Sequence, residues 1–588
     1  MQTPSPLRRL KLRQNGSAVP MFRPLLPPLL RIPVLLLILL PMLLNGCTDK
    51  PSSNGAASEP QDYSNATTTN SSPNDPAGGN PAASDTVDTQ PSTVFYEIFV
   101  RSFADSNGDG IGDFKGLTSK LDYLNDGNPD TDTDLGIGGI WLMPINPSPS
   151  YHGYDVTNYR DIHPDYGTMD DFRTFLNEAH KRGIKVIMDL VVNHTSKEHP
   201  WFTEAAADPN SPYRDWYVWA EEQGRKVSGT SAAGSGNPWH NLNGSHYLGI
   251  FWEGMPDLNL DNPEVRNEMI KTGQFWLEQG VDGFRLDAAK HIYEDLLTDK
   301  SQETTNKNVA WWQEFRSGLN EVKPDAYLVG EIWDPSAALI SSYLDRALDS
   351  GFNFSLAETI LSSVKNEKDA NIPYTLERTH KLYSEKSGGS FVDATFLTNH
   401  DQNRVMTQLE GDVPHAKMAA SLLLTLPGNP FIYYGEEIGM FGAKPDELIR
   451  EPMRWTPDDS EGQTTWEPAV NNAGIQGLSV SEQTGDPTSL LSHYRQLIRM
   501  RNEIPALKDG AIQEYATDQP GITAFVRLTE EQAVLVAHNL TGHELTVSLD
   551  PNQADGKSFT KLLAQTSEGA SLSGNTLTLP AYSTVVLE

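Results

Sequence analysis

Residues 280–291 read "GVDGFRLDAAKH", an apolar run interrupted by Arg285 and closed by Asp287, Lys290 and His291. The run has the near-continuous apolar character of a strand buried on both faces, yet its C-terminal end is charged. Strands of a (β/α)8 barrel look like this, because their polar residues gather at the C-terminal rim, where such folds carry their sites. The stretch therefore asks whether the chain holds seven more strands of the same kind.

It does. Moving outward, "VFYEIFV", "GIGGIWLMP", "GIKVIMDLVV", "AYLVGEIW", "GFNFS", "FVDATFLTN" and "NPFIYYGEEI" repeat the pattern. Amphipathic stretches such as "MDDFRTFLNEAHKRG" separate many of them, and Gly183 supplies that one with a helix stop. The alternation gives an α/β class and an expected (β/α)8 TIM barrel over residues 92–194 and 259–503. A doubly wound open sheet fits the same pattern. Between "DLVVNH" and the opening stretch lie far more residues than one helix requires, so residues 195–258 read as a subdomain inserted after strand 3. From residue 504 to 588 the pattern changes to short alternating runs such as "GITAFVRL" and "QAVLVAHNL", which predict a C-terminal antiparallel β-sandwich.

The 588 residues carry a formal net charge of -33, which disfavours nucleic acid and anionic membrane surfaces as partners and suits a neutral ligand. Cys47 is the one cysteine, so no intrachain disulfide exists. It follows "RIPVLLLILLPMLLNG", a basic front and a short apolar run that read as a signal peptide over residues 1–47, with Met21 as an alternative start. Small residues before a cysteine resemble the lipobox of bacterial lipoproteins, which implies lipidation of Cys47; Asn45 departs from the usual small residue. Residues 48–91 hold hardly any large apolar side chain and form an expected flexible tether. Together these give an expected location in the cell envelope, anchored by lipid and facing the periplasm or exterior, or otherwise secretion.

Four strand ends carry polar clusters: Asp189, Asn193 and His194; Arg285, Asp287, Lys290 and His291; Glu331 and Asp334; and Asn399, His400, Asp401 and Arg404. Singly, each has a structural explanation, such as a rim ion pair or a helix cap. Converging on one rim, they supply carboxylates, histidines and arginines suited to acetal hydrolysis. One carboxylate attacks the anomeric carbon while another protonates the leaving oxygen.

These segments, in this order, resemble the conserved regions of the α-amylase family of retaining glycoside hydrolases, from about Val94 to the C-terminus. The resemblance implies Asp287 as nucleophile, Glu331 as general acid/base and Asp401 as the carboxylate stabilising the transition state. It implies that Arg285 orients Asp287, and that His194 and His400 contact sugar hydroxyls. In "YHGYDVTNY" it puts Tyr154 under the cleaved sugar with Asp155 beside it. Lys290 and His291 fall on the leaving-group side, and Arg404 and Arg450 among the substrate contacts, Arg450 resembling an arginine that pairs with the Asp155 position in enzymes trimming oligosaccharide ends.

"FADSNGDGIGDFKG", residues 103–116, presents Asp105, Asn107, Asp109, the Ile111 carbonyl and Asp113 as oxygen donors. Its twelfth position counted from Asp105 is Gly116 and a strand precedes it, so it is not an EF-hand. Relatives carry a similar loop after the first barrel strand, which implies a structural Ca2+ ion remote from the chemistry; a solvated Asx-turn loop is the alternative. "MPDLN", residues 255–259, is intermediate between oligo-1,6-glucosidase and neopullulanase forms, and Ala288 follows the nucleophile where 1,6-specific relatives have valine. The expected substrate is an α-1,4-glucan or maltooligosaccharide, acted on by a monomeric enzyme. An α-glucosidase, a 4-α-glucanotransferase and a non-catalytic glycan-binding member are the alternatives.

Overall fold

The computed structural model describes residues 93–588 apart from 233–235, 295–300, 459 and 461. The signal segment, Cys47 and the tether lie outside the described residues, and no described helix is long and apolar enough to cross a membrane.

Eight parallel strands form the larger body: β1 (Phe95–Ile98), β2 (Gly139–Leu142), β3 (Lys185–Leu190), β4 (Gly283–Leu286), β5 (Tyr327–Gly330), β6 (Ser350–Gly351), β7 (Ala394–Phe396) and β8 (Asn429–Tyr433). Their order is β6-β5-β4-β3-β2-β1-β8-β7, and a parallel bridge from Phe352 to Ala394 closes the ring. The sheet is therefore a barrel, which removes the open doubly wound alternative. Strand β6 is only two residues long because its neighbour Phe352 joins the closing bridge instead.

Period-two alternation decides what faces inward. Phe95, Trp141, Ile187, Tyr327, Val329, Phe396 and Phe431 fill the interior, with Phe95 stacked on Phe431 at 4.8 Å between ring centres. One inward step further along the strands come Glu97, Asp189 and Arg285, and then Asp287. Gly283 sits where a Cβ would meet the Tyr327 carbonyl oxygen at 2.0 Å, so only glycine lets β4 lie this close to β5. The helix Met169–Lys181 begins at a capping box between Thr168 and Asp171 and stops before Gly183, whose φ is +75°. Its buried Phe172, Phe175 and Leu176 pack on the barrel, each contributing about 1.5–3 kcal/mol by removal from water.

The insertion after β3 comprises a helix (Pro200–Ala207), a 3-10 turn (Arg214–Trp216) and a hairpin of Trp239–Leu242 with Ser245–Leu248. It rejoins the barrel at Asp257, which pairs antiparallel with His194. Two antiparallel sheets form the C-terminal part: Ala511–Glu514, Ile522–Leu528, Ala533–Asn539, Ser583–Leu587 and Leu562–Gln565 in one, and Leu545–Ser548, Thr576–Leu579 and Ser571–Ser573 in the other. Buried Arg527 fastens this part to the barrel, and buried Arg501, on the preceding helix Leu490–Glu503, ties that helix to the same barrel segment. Arg501 donates to the carbonyls of Leu424 and Leu426 at 3.0 and 2.7 Å, and Arg527 donates to those of Thr425 and Gly510. Both cations thus sit against the C-terminal carbonyls of the helix Val413–Thr425, where positive charge is favoured.

Candidate active site

Strand β4 brings Arg285 into register with Asp189 on β3 and Val329 on β5. Arg285 Nη1 donates to Asp189 Oδ1 at 2.6 Å and to Asp287 Oδ1 at 2.7 Å, and Nη2 lies 2.8 Å from Glu331 Oε2. One guanidinium therefore holds three carboxylates. Their exposure separates them: the side chains of Arg285 and Asp189 are 1% and 0% exposed, those of Asp287 and Glu331 11% and 13%, and that of Asp401 30%. Asp287, Glu331 and Asp401 reach the cleft. Asp189 is sealed beneath it, accepting from Trp141 Nε1 at 3.1 Å and the Tyr154 hydroxyl at 3.2 Å.

The backbone immediately after Asp287 is strained. Ala288 has φ +47°, uncommon for a residue with a Cβ, and its N–H donates to Glu331 Oε2 at 3.1 Å. Asp287 and Glu331 are thus tied twice, through Arg285 and through this amide.

Opposite them, Asp401 lies 2.8 Å from Arg450 Nη2 and 3.2 Å from His400 Nε2. Burial works to raise the Asp401 carboxyl, but His400, Arg450 and Arg285 prevail and hold it well below the usual carboxylate range. His400 is fully buried, with Nδ1 2.5 Å from Glu97 Oε1 and Nε2 2.6 Å from the Tyr154 hydroxyl. Desolvation opposes its charge, yet Asp401 and Glu97 push it up to about 10, so it is an imidazolium at neutral pH. Burial raises Asp287 and Glu331 from their ordinary values; Arg285 pulls both back, and the charge of Asp401 adds to the rise. Burial also lifts Asp189 to about 7 against the pull of Arg285.

Tyr154 is 8% exposed and stacks on His400 and His152, with 5.7 and 6.0 Å between ring centres. His194 is buried beside Phe251, and its Nε2 has no hydrogen-bond partner among the described residues. Burial lowers it to about 4, so it is a neutral ring with an unsatisfied nitrogen, suited to a hydroxyl group. Asp155 is buried and accepts from the hydroxyls of Ser148 and Ser150. On the other rim Lys290 lies 3.4 Å from Asp334, and His291 bonds Glu294 and stands edge-on to Phe251. Trp333, two residues beyond Glu331, is 46% exposed and lies flat on Phe354 at 4.6 Å.

Three sequence-derived placements change. Arg404 does not face the cleft: it is 1% exposed, donates to the carbonyls of Ile449 and Tyr434, and lies over the rings of Tyr433 and Tyr434. A cation this deep is held where main-chain oxygens can replace water. Arg450 pairs with Asp401 and Asp446, not with Asp155, which accepts from the two serines and lies 3.9 Å from His152 Nδ1. His400 was expected to meet sugar hydroxyls, but both of its ring nitrogens have protein partners. Residues that sequence reasoning left without a role are Glu97, Trp141 and Asp189, which build the layer below the carboxylates. Glu97 had a signal: it is a lone acid within the apolar run "VFYEIFV".

The loop after β1 closes mainly on itself. Asp105 accepts from the amides of Asn107, Gly108 and Gly110; Asn107 and Asp109 accept from those of Asp109 and Ile111. Asp113 caps the next helix through Gly116 N and bonds Ser106. Among the described residues no three His, Cys, Asp or Glu side chains group as a metal-holding cluster. The donor chemistry nonetheless suits a hard cation, since every donor is oxygen and a carboxylate oxygen keeps a lone pair beyond the one an amide takes.

With the geometry in place, comparison with known proteins is specific. The family model described as alpha amylase, catalytic domain, matches residues 97–510, and that of the alpha-amylase SusG C-terminal domain matches residues 522–586. Alpha-amylase 3 of Dictyoglomus thermophilum is 46% identical over 496 residues, 84% of this chain and 93% of that protein. The oligo-1,6-glucosidase of Parageobacillus thermoglucosidasius is 33% identical, covering 76% of this chain and 90% of that one. A crystal structure of an alpha-amylase from H. orenii superposes with a TM-score of 0.78 at 47% identity, over 85% of this chain and 99% of that one.

Proposed function

The chain belongs to the α-amylase family of glycoside hydrolases, and on that premise we propose that it cleaves α-1,4-glucosidic bonds of starch or maltooligosaccharides with retention of configuration. The observation carrying this reading is the grip of the single Arg285 guanidinium on both Asp287 and Glu331. Retention needs two carboxyl groups roughly 5 Å apart on either side of the anomeric carbon, and a shared planar cation brings them into one cleft.

In the proposed first step the Asp287 carboxylate attacks the anomeric carbon while Glu331, protonated, gives its proton to the departing glycosidic oxygen. Burial raises both groups; Arg285 pulls Asp287 back toward the ionised form a nucleophile needs, and the rise at Glu331 favours the proton an acid needs. Asp401, held ionised by His400 and Arg450, faces the positive charge that develops on the sugar ring. In the second step Glu331, now a carboxylate, takes a proton from water; the hydroxide end attacks the anomeric carbon and Asp287 leaves. Tyr154 offers its ring to the apolar sugar face, and the free nitrogen of His194 meets a hydroxyl. Beyond the cleaved bond, Trp333 offers a platform for the next sugar.

The pairing of Arg450 with Asp401 supports internal cleavage over trimming of chain ends. Product analysis on soluble starch and on maltooligosaccharides tests the reading: a spread of mid-length products supports internal cleavage. Glucose alone from the first minutes points to an α-glucosidase, and products longer than the substrate to a 4-α-glucanotransferase.

Two further proposals rest on sequence. A structural Ca2+ ion would be held by Asp105, Asn107, Asp109, the Ile111 carbonyl and Asp113, stiffening the loop without entering the chemistry. Lipidation at Cys47 would tether a monomeric enzyme to the cell envelope; release of a Cys47→Ser protein from membranes tests it.

A further inference from the structure

Away from the catalytic cleft, a cavity of about 260 Å3 opens between the helix Ile372–Ser387 and the loop that precedes the C-terminal strand Ile522–Leu528. It shares no lining residue with the catalytic cleft. Tyr374 forms one wall and is 44% exposed, high for so large a ring. Arg378 fixes the ring's plane: its guanidinium sits 3.3 Å from the ring centre and donates to the Tyr374 carbonyl at 3.2 Å. Asn371, at the mouth, is exposed, holds a left-handed backbone with φ +61°, and caps no amide of the helix it precedes. Thr517 and Gln519 face it from the C-terminal part.

Charges of both signs stand here. Lys368, Asp369 and Glu514 line the wall, and Arg378 and Glu377 lie beside it, Glu377 accepting from the Glu514 amide at 2.7 Å. Asp369 Oδ1 accepts from Thr523 Oγ1 and Ile372 N, and Arg378 lies 3.9 Å from Glu514. Nothing in the wall calls for an ion. A fixed, exposed aromatic face ringed by amides and hydroxyls instead matches a ligand with apolar C–H faces and many neutral hydroxyls.

We propose that this cavity is a second, non-catalytic binding site for a short stretch of α-glucan, with Tyr374 as the stacking platform and Asn371 as a hydroxyl partner. The identity of the sugar rests on the catalytic reading above; the existence of the site does not. Because the cavity is small, it takes one or a few sugar units, and its effect comes through linkage. A long chain engaging both sites meets the second at high effective concentration, whereas a short oligosaccharide cannot span them.

The test compares wild type, Tyr374→Ala and Tyr374→Phe, first by melting temperature and then by kinetics on soluble starch and on maltotriose. Tyr374→Ala should raise KM on starch by about three- to tenfold, far below the ceiling for a second linked site. It should leave kcat, and both constants on maltotriose, unchanged. Tyr374→Phe should restore the starch KM, since the ring and not the hydroxyl makes the platform. Retardation in starch-containing native gels, run with the Asp287→Asn background to stop turnover, should fall with Ala and return with Phe. A starch KM and a gel mobility untouched by Tyr374→Ala overturn the proposal. A wild-type protein that hydrolyses neither substrate overturns the catalytic reading and leaves the gel assay to decide the site.

Discussion

Arg285 holds Asp287 with one nitrogen and Glu331 with the other, at 2.7 and 2.8 Å. The guanidinium is planar and forked, so it fixes the relative position of the two groups as well as their charge. A lysine offers one compact charge and cannot reach both. Arg285→Lys should fold, since Asp189 keeps a partner, but kcat should fall by about 10²–10³-fold, the scale of losing a preorganised charged contact. Steady-state rates beside a melting curve check it; a loss under threefold would show that the arginine serves stability alone.

Asp401, through its negative charge, adds to the rise that burial imposes on Asp287 and Glu331. Removing that charge favours their ionised forms, so the proton needed on the acid is lost at lower pH. Asp401→Asn should therefore cut kcat and also move the basic limb of the residual kcat/KM profile toward acid. An unmoved limb would mean that Glu331 titrates independently of Asp401.

The buried pair of His400 and Glu97 predicts a signature in stability. The folded histidine is raised to about 10 from an ordinary 6.5. Its contribution is then complete below about pH 6.5 and disappears as pH climbs toward 10, where the folded state gives up its proton. Glu97→Gln removes one of the two carboxylates that raise it. The variant should be less stable than wild type at pH 6 and lose less melting temperature between pH 6.5 and 10. Parallel curves for the two proteins would place the titration elsewhere.

Calcium should act on stability and not on chemistry. Chelation should lower the melting temperature by removing a ligand of the folded state, worth about 2.7 kcal/mol when free calcium stands at 100 times Kd. Calcium should restore it, and Asp109→Asn should abolish the response. A melting curve indifferent to chelator and calcium leaves the loop as the run of Asx turns its hydrogen bonds describe.

The barrel was legible because strands buried on both faces must be apolar, which makes the charges at the ends of "GFRLD", "GEIW" and "FLTNHD" conspicuous. Asp287, Glu331 and Asp401 share a cleft for that reason. The layer beneath was harder to read. Glu97 and Asp189 lie within runs that otherwise look like core, and only the register of the strands joins them to His400 and Arg285. The partners of arginines were least legible. A sequence shows that Arg404 and Arg450 lie near the rim, but long side chains reach several residues away, and which oxygen each meets depends on loops folding over them. The edge strands Leu562–Gln565 and Ser571–Ser573 were also missed, being short, half-exposed and without alternation strong enough to mark them.

The most direct measurement is the configuration of the sugar first released. Proton NMR of the reducing end formed in the opening minutes of maltooligosaccharide hydrolysis, before mutarotation, should show the α-anomer, because two displacements at one carbon restore the starting configuration. The β-anomer appearing first would mean a single displacement by water, and Asp287 would not be the nucleophile.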